Sequence, residues 1–94
     1  MIPEKSPVWE ELESLIEKIS PEFKTNLQVL TSDNLTEVDL RTALLMRCGF
    51  TTSQMAILLN RTKTTISSRR SYLSSKIFSE NSTSKAIDRI IHRI

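Results

Sequence analysis

The stretch TTSQMAILLNRTKTTISSRRSYLSSKI, residues 51–77, holds the two helix patterns that decide the fold of this chain. Thr51 followed three residues later by Gln54 is a capping box, which predicts the start of the first helix. Met55, Ala56, Leu58 and Leu59 then predict a helix of about two turns. Asn60-Arg61 predicts a tight break between the helices, because asparagine tolerates the left-handed backbone conformation that such breaks often need.

The second helix of this stretch is predicted over about residues 63–77, with Thr62 as its cap. On a helical wheel Ile66, Leu73 and Ile77 align on one side, and Arg70 lies at the edge of that stripe. The other sides are polar and carry Thr64, Ser67, Ser68, Arg69, Ser71 and Ser75. Two short helices joined by about three residues, the second with a narrow apolar side and a broad polar side, predict a helix-turn-helix unit.

Two helices are predicted ahead of that unit at the start of the chain. The first covers about residues 7–19, and a short second one is marked by Phe23, Leu27 and Leu30. The apolar stripe of the first helix is predicted to consist of Val8, Leu12, Leu15 and Ile19, with Trp9 and Ile16 beside it. Packing on this domain is one explanation of the stripe, and a coiled-coil seam with a second copy is the other.

A third helix is predicted between a cap at Thr36 and a terminating glycine at Gly49. A last helix follows a polar linker over residues 80–84 and contains Ala86, Ile87, Ile90, Ile91 and Ile94. Its apolar side suits either closure of the core or dimerisation. The predicted fold class is therefore all-α, with residues 1–34 as an N-terminal helical extension and residues 35–94 as the helix-turn-helix domain.

Composition excludes several classes of protein. Gly49 is the single glycine among 94 residues, which suits a helical chain because hairpins usually need glycine turns. The single cysteine, Cys48, excludes an internal disulfide and favours a reducing compartment, so we expect a cytoplasmic domain without membrane contact. Cys48 and His92 lack the partner residues that catalysis or metal binding needs. We therefore expect no enzyme, no catalytic residues, no metal and no cofactor.

Charge is distributed unevenly along the chain. Residues 1–40 carry three cations and nine acids, whereas residues 41–94 carry ten cations and two acids. From Arg41 to Ser79 there are seven cations and no acid. Such a segment predicts an anionic partner for the second half of the chain. Internal pairing of the two halves is the alternative, and it accounts for part of the charge only.

The polar side of the 63–77 helix has the composition of a surface that sits on DNA. Short hydroxyl side chains allow close approach to a groove, and they bond phosphates or several base edges without strong discrimination. Arg69 and Arg70 are the residues in it that could read guanine bidentately. A solvated helix face is the plain alternative. Arg70 also admits a second interpretation, in which its stem covers the core and its head pairs with an acid of the first half.

Leu35–Ile77 resembles the LuxR-type helix-turn-helix domain of bacterial transcription regulators, over about half the chain. The residues that carry the resemblance are, in order, Leu35-Thr36-Glu37, Gly49, Thr51, Gln54-Met55-Ala56, Leu59-Asn60, Thr65-Ile66 and Lys76-Ile77. Trp9 and Ser20-Pro21-Glu22-Phe23 resemble a variant at the carboxyl end of larger regulators, behind sensor or tetratricopeptide-repeat regions. The resemblance implies a four-helix output domain of the winged helix-like superfamily, here preceded by two helices.

The resemblance also implies where double-stranded DNA is bound. The helix over about residues 63–77 would enter the major groove, with base contacts from Ser67, Ser68 and Ser71 and phosphate contacts near Thr62, Thr65 and Lys76. Together with the polar pattern, the candidate DNA-binding residues are Thr62, Lys63, Thr64, Thr65, Ser67, Ser68, Arg69, Arg70, Ser71 and Lys76. The chain departs from the family's pattern at Arg69, where histidine is common, and at Arg61, an often apolar turn position. No operator preference is carried over for that reason.

Partners and rival functions remain open at this point. The resemblance favours a homodimer through the last helix (Ala86, Ile87, Ile90, Ile91 and Ile94), and the N-terminal stripe (Val8, Leu12, Leu15 and Ile19) is the other candidate seam. RNA polymerase is a further candidate partner. One rival is a sigma-factor carboxyl-terminal region that binds promoters through a similar pattern. The other is a helical protein-interaction module whose basic face binds an acidic protein.

Overall fold

The computed structural model describes residues 2–3, 5–78 and 84–94. In these ranges the chain forms six helices and no strand, which confirms the all-α class. The helices are α1 (Val8–Ile19), α2 (Phe23–Leu30), α3 (Glu37–Arg47), α4 (Thr52–Leu59), α5 (Lys63–Phe78) and α6 (Ser84–Arg93). The polar linker predicted over residues 80–84 lies outside the described residues, except for Ser84 where α6 begins.

Local capping interactions fix the ends of α3 and α4. The Thr36 side chain accepts a hydrogen bond from the Asp39 N–H, and the Asp39 carboxylate accepts one from the Thr36 N–H, both at 3.1 Å. The capping box predicted at Thr51 and Gln54 is confirmed with the same reciprocal pattern. Gly49, after α3, has a φ of +90°, a region that side chains with a Cβ rarely adopt. Each of these features depends on residues that lie close together in the sequence, so the local sequence specifies it.

One hydrophobic core receives side chains from every helix. α3 lies at its centre with Ala43, Leu44, Leu45 and Met46, all buried. α5 contributes Ile66 and Leu73, and α3 packs against α1, α5 and α6. The N-terminal helices join the same core through Trp9, Ile16, Phe23 and Leu27. Residues 8–30 are therefore packed into the helical body rather than set apart from it.

The side of α1 that faces the core differs from the predicted stripe. Trp9 and Ile16 are buried and Leu12 is partly buried, whereas Val8, Leu15 and Ile19 are exposed. Of the two predicted explanations of the stripe, packing on this domain holds for Leu12 but not for Val8, Leu15 and Ile19, because the large indole of Trp9 docks against α3 and sets the rotation of the helix. The Arg41 guanidinium lies 4.8 Å from the centroid of that ring, and the Trp9 Nε1–H donates a hydrogen bond to the Pro3 carbonyl.

The last helix closes the core. Ile87 and Ile91 are fully buried inside one copy of the chain, and Ile90 and Ile94 are partly buried against the same core. The side chain of Ala86 lies outside the described residues. Of the two predicted explanations of this apolar side, closure of the core accounts for Ile87 and Ile91, because α6 packs on α5 and α3 and covers those side chains. Dimerisation through this helix stays a prediction. Among the described residues, none of the helices combines the length and apolar character that crossing a bilayer requires.

Candidate nucleic-acid interface

α4 and α5 form a packed pair joined by residues 60–62. Asn60 adopts the left-handed conformation with a φ of +53°, as predicted for this break. The Thr62 hydroxyl then accepts a hydrogen bond from the Thr65 N–H at 3.1 Å and caps α5. Ala56 is buried on α4, where a small side chain lets the helices approach closely. The geometry holds the first turns of α5 at the surface of the domain.

The exposed side of α5 consists mainly of hydroxyl groups and cations. Most predicted DNA-binding residues lie on it: Thr62, Lys63, Thr64, Ser67, Ser68 and Ser71 are exposed, and Thr65 and Arg69 are partly buried. The buried side carries Ile66 and Leu73 in the core. Since no acid occurs between residues 41 and 79, the exposed side has no carboxylate of its own. An anion approaching it meets hydroxyl donors and positive charge.

A groove runs beside this exposed side, between α5 and the start of α3. Its volume is about 420 Å³, and its lining residues are Thr36, Val38, Asp39, Thr64, Thr65, Ser68, Arg69 and Tyr72. Tyr72 leaves 61% of its surface exposed and was not among the predicted site residues. Its spacing of four residues from Ser68 placed it on the polar side, and an aromatic residue at such a position was the signal available in the sequence. Tyr72 adds an apolar ring and a hydroxyl to the surface.

Arg70, one of the candidate DNA contacts, lies in the interior of the helical body. Its side chain is buried, its Nη2 donates to the Asp88 carboxylate at 2.7 Å, and its Nη1 donates to the Thr52 hydroxyl. Of its two predicted interpretations, the stem does cover the core, but the acid belongs to α6 in the second half of the chain. The guanidinium is therefore held inside the domain and is turned away from the exposed side of α5.

Lys76, another candidate DNA contact, also forms an internal ion pair. Its Nζ pairs with the buried Asp39 carboxylate and donates to the Asn34 carbonyl at 2.9 Å. The ammonium also lies 4.7 Å from the centroid of the Tyr72 ring. With 8% of its side chain exposed, Lys76 neutralises the acid of the α3 capping box. A phosphate contact from Lys76 would require that pair to open.

In the described part of the chain, no group of three or more histidine, cysteine, aspartate or glutamate residues is placed to hold a metal ion. Burial of part of the side chain raises the pKa of the Cys48 thiol, although the neighbouring Arg47 opposes the shift. Less thiolate is then present at neutral pH than for an ordinary cysteine. On α2, a hydrogen bond to Glu13 raises the pKa of Lys24, in a pair that ties α2 to α1.

Comparison with known proteins adds no assignment. No protein-family model, no curated protein and no solved structure matches this chain.

Proposed function

We propose that this chain binds double-stranded DNA as the output domain of a bacterial transcription regulator, with α5 in the major groove. The observation that carries the proposal is the exposed side of α5, which presents hydroxyls and cations without an acid. A negatively charged, grooved partner is the one that such a surface fits best. The arrangement of α3 to α6 as a LuxR-type helix-turn-helix domain is part of the same proposal, supported by the residue order from Leu35 to Ile77.

The dimensions of α5 support this use. Sixteen residues make a helix of about 24 Å, long enough to lie along a major groove with its first turns against the base edges. Ser67, Ser68 and Ser71 are exposed on that helix, and their short side chains let its backbone approach closely. Lys63 and Arg69 flank them and supply charge for phosphates. These residues would position the domain on the duplex.

Sequence discrimination is expected to be weak. Arg70 is held by Asp88 and Thr52, and Arg69 is assigned to a phosphate, which leaves no arginine of α5 to read guanine. Hydroxyl groups accept and donate with several base edges, so they select poorly. Selection from a random duplex pool should therefore return a short half-site of low information. A long, sharply defined motif would contradict this expectation.

Duplex binding measured against salt tests the proposal. Labelled duplex titrated with the 94-residue chain should bind at low salt, and log affinity should fall by about 0.9 per log unit of salt for each phosphate contact. About two such contacts, one from Lys63 and one shared by Arg61 and Arg69, predict a slope near −1.8. Absence of duplex binding at low salt, or binding that ignores salt, would refute DNA binding and favour the protein-interaction alternative.

The exposed side of α1 supports a second proposal, homodimerisation through this helix. Leu15 is 51% exposed and Ile19 is 60% exposed, on the helix whose Trp9 side is buried in the core. Light scattering across a range of concentrations should show a dimer that the double variant Leu15→Ser, Ile19→Ser loses. Val29→Ser, which replaces an exposed apolar residue on α2, is the control. A strictly monomeric wild-type chain at high concentration would rule this dimer out.

A further inference from the structure

Three arginines converge on one small cavity beside the exposed side of α5. Arg41 comes from α3, Arg61 from the turn after α4, and Arg69 from α5. The cavity has a volume of about 60 Å³, which gives room for one small group and not for a whole nucleotide. Trp9 and Leu59 are among its other lining residues. Like charges brought together in a partly apolar setting repel one another unless an anion lies between them.

Two of the three charges in this cluster, those of Arg61 and Arg69, have no ion pair within the described residues. Arg41 is held in place by Glu37, at 3.2 Å, and by the Trp9 ring beneath its guanidinium. Arg61 donates one local hydrogen bond, to the carbonyl of Asn60 at 3.3 Å, and no described acid pairs with it or with Arg69. Arg41 is thus an anchored cation, whereas the other two arginines supply charge that a ligand could neutralise.

The cluster is continuous with the surface proposed to bind DNA. Arg69 lines both this cavity and the groove formed with Ser68 and Tyr72. Thr65, one helical turn before Arg69, lies on the same stretch of α5. A backbone that follows the exposed side of α5 would therefore pass the mouth of the cavity. Forked guanidinium donors suit the oxygens of a phosphate better than ammonium groups do.

We propose that Arg41, Arg61 and Arg69 form a binding site for one phosphate group. The group can come from the backbone of bound DNA, an assignment that rests on the proposed function, or from a free phosphate compound. Arg41 would act as the preset donor, because Trp9 and Glu37 already fix its side chain. Arg61 and Arg69 would close on the phosphate from the turn and from α5.

Variants of the full chain that each remove one positive charge test the phosphate site and distinguish the two sources of the phosphate. Arg61→Gln and Arg69→Gln each remove one cation from the site, and Arg93→Gln removes one from the exposed end of α6. α6 packs against the buried side of α5, where Asp88 meets Arg70, so Arg93 is a control for net charge alone. Each variant is first compared with wild type by circular dichroism and thermal unfolding, which should be unchanged.

Two measurements then give the source of the phosphate. The first measurement follows duplex affinity against salt. Arg61→Gln and Arg69→Gln should each lower the magnitude of the slope by about 0.9 and weaken duplex affinity about five- to tenfold at 0.1 M salt. Arg93→Gln should change the slope less. In the second, inorganic phosphate is titrated at constant ionic strength while the side-chain Nε–H signals of the arginines are followed by NMR. A saturable shift of the Arg69 signal at low millimolar phosphate, lost in Arg61→Gln, would assign the site to a free phosphate compound.

The two measurements together distinguish the phosphate site from DNA binding. If wild type binds duplex but all three variants share one slope, and phosphate shifts no arginine signal, the site is refuted while DNA binding stands. If wild type fails to bind duplex but phosphate gives the saturable shift, the site stands and DNA binding fails. Loss of slope in Arg61→Gln and Arg69→Gln without a phosphate shift supports the site with DNA as its source.

Discussion

Arg70 Nη2 lies 2.7 Å from Asp88 Oδ2, so a guanidinium on α5 points inward and pairs with the last helix. The same group donates to the Thr52 hydroxyl at the start of α4. One side chain thereby links α4, α5 and α6. An arginine that the sequence pattern offers for DNA reading instead orients the exposed side of α5.

Asp88→Asn should destabilise the fold by about 1.5 kcal/mol, because it leaves the buried Arg70 charge without its carboxylate. The cost is modest since the Asp88 side chain is 47% exposed and water screens part of the interaction. The measurement is urea unfolding followed by circular dichroism. Glu17→Gln, which neutralises an exposed acid on α1, is the control and should change stability little. Equal stability of Asp88→Asn and wild type would show that Arg70 does not need the pair.

Asp39→Ala should be more damaging, by about 3 kcal/mol, because it strands the Lys76 ammonium and removes half of the α3 capping box. Asp39 is 3% exposed, so water cannot replace the lost carboxylate. Denaturant midpoints give the difference. Glu37→Gln, two residues earlier in the first turn of α3, is the control and should cost under about 1 kcal/mol, since the Glu37 side chain is 68% exposed. A cost for Asp39→Ala no larger than the control's would contradict a structural role.

Ser71→Glu should reduce duplex affinity at least tenfold at 0.1 M salt while leaving unfolding unchanged. The new carboxylate would lie on the exposed side of α5, where it would face phosphates or base edges. Fluorescence anisotropy with a labelled duplex measures the loss. Ser14→Glu adds the same charge to an exposed position on α1 and should have a much smaller effect. Equal losses in the two variants would mean that net charge, and not the position of α5, governs binding.

Ala56→Leu should cost about 2 kcal/mol, because a larger side chain must separate α4 from α5. Ala56 is 8% exposed, whereas its neighbour Ile57 is 74% exposed. Ile57→Ala should therefore stay within about 0.5 kcal/mol of wild type. Thermal unfolding of both variants tests the packing of the helix pair. If Ile57→Ala proved the more destabilising, the orientation of α4 would be incorrect.

Gly49→Ala should destabilise by about 1 kcal/mol although there is open space for a methyl group. A Cβ built on Gly49 meets no atom within 4 Å, so the cost comes from the backbone φ of +90° alone. Chemical denaturation measures the change. Ser53→Ala, at an exposed position within α4, is a control that carries no such strain. No difference between the two variants would mean that the turn relaxes freely.

Capping and periodicity predicted most of the helical framework. The capping pairs at Thr36 and Thr51 and the left-handed turn at Asn60 are each decided by a few neighbouring residues, so local chemistry was sufficient. Periodicity did not determine which side of α1 faces the core, because several apolar residues allowed more than one rotation of the helix. The packing of Trp9 against α3, under the Arg41 guanidinium, selected one of them.

The exposed side of α5 could be predicted from the sequence, but the residues that other elements contribute beside it could not. A wheel of α5 placed Ser67, Ser68 and Ser71 on the outside, where the structure has them. It could not find Arg41 or Arg61 as neighbours of Arg69, because they belong to α3 and to the turn. A cluster of this kind forms only when separate elements pack.

The sequence by itself determined the all-α class, the ends of the helices around residues 36–66 and the acid-free composition of α5. Only the tertiary structure decided which cations of α5 remain outside. Arg70 and Lys76 turn inward because they pair with Asp88 and Asp39. These acids are 18 and 37 residues away in sequence, so each pair forms only when the helices pack. Arg69 meets no such acid among the described residues, and it therefore stays beside Arg41 and Arg61 with its charge available.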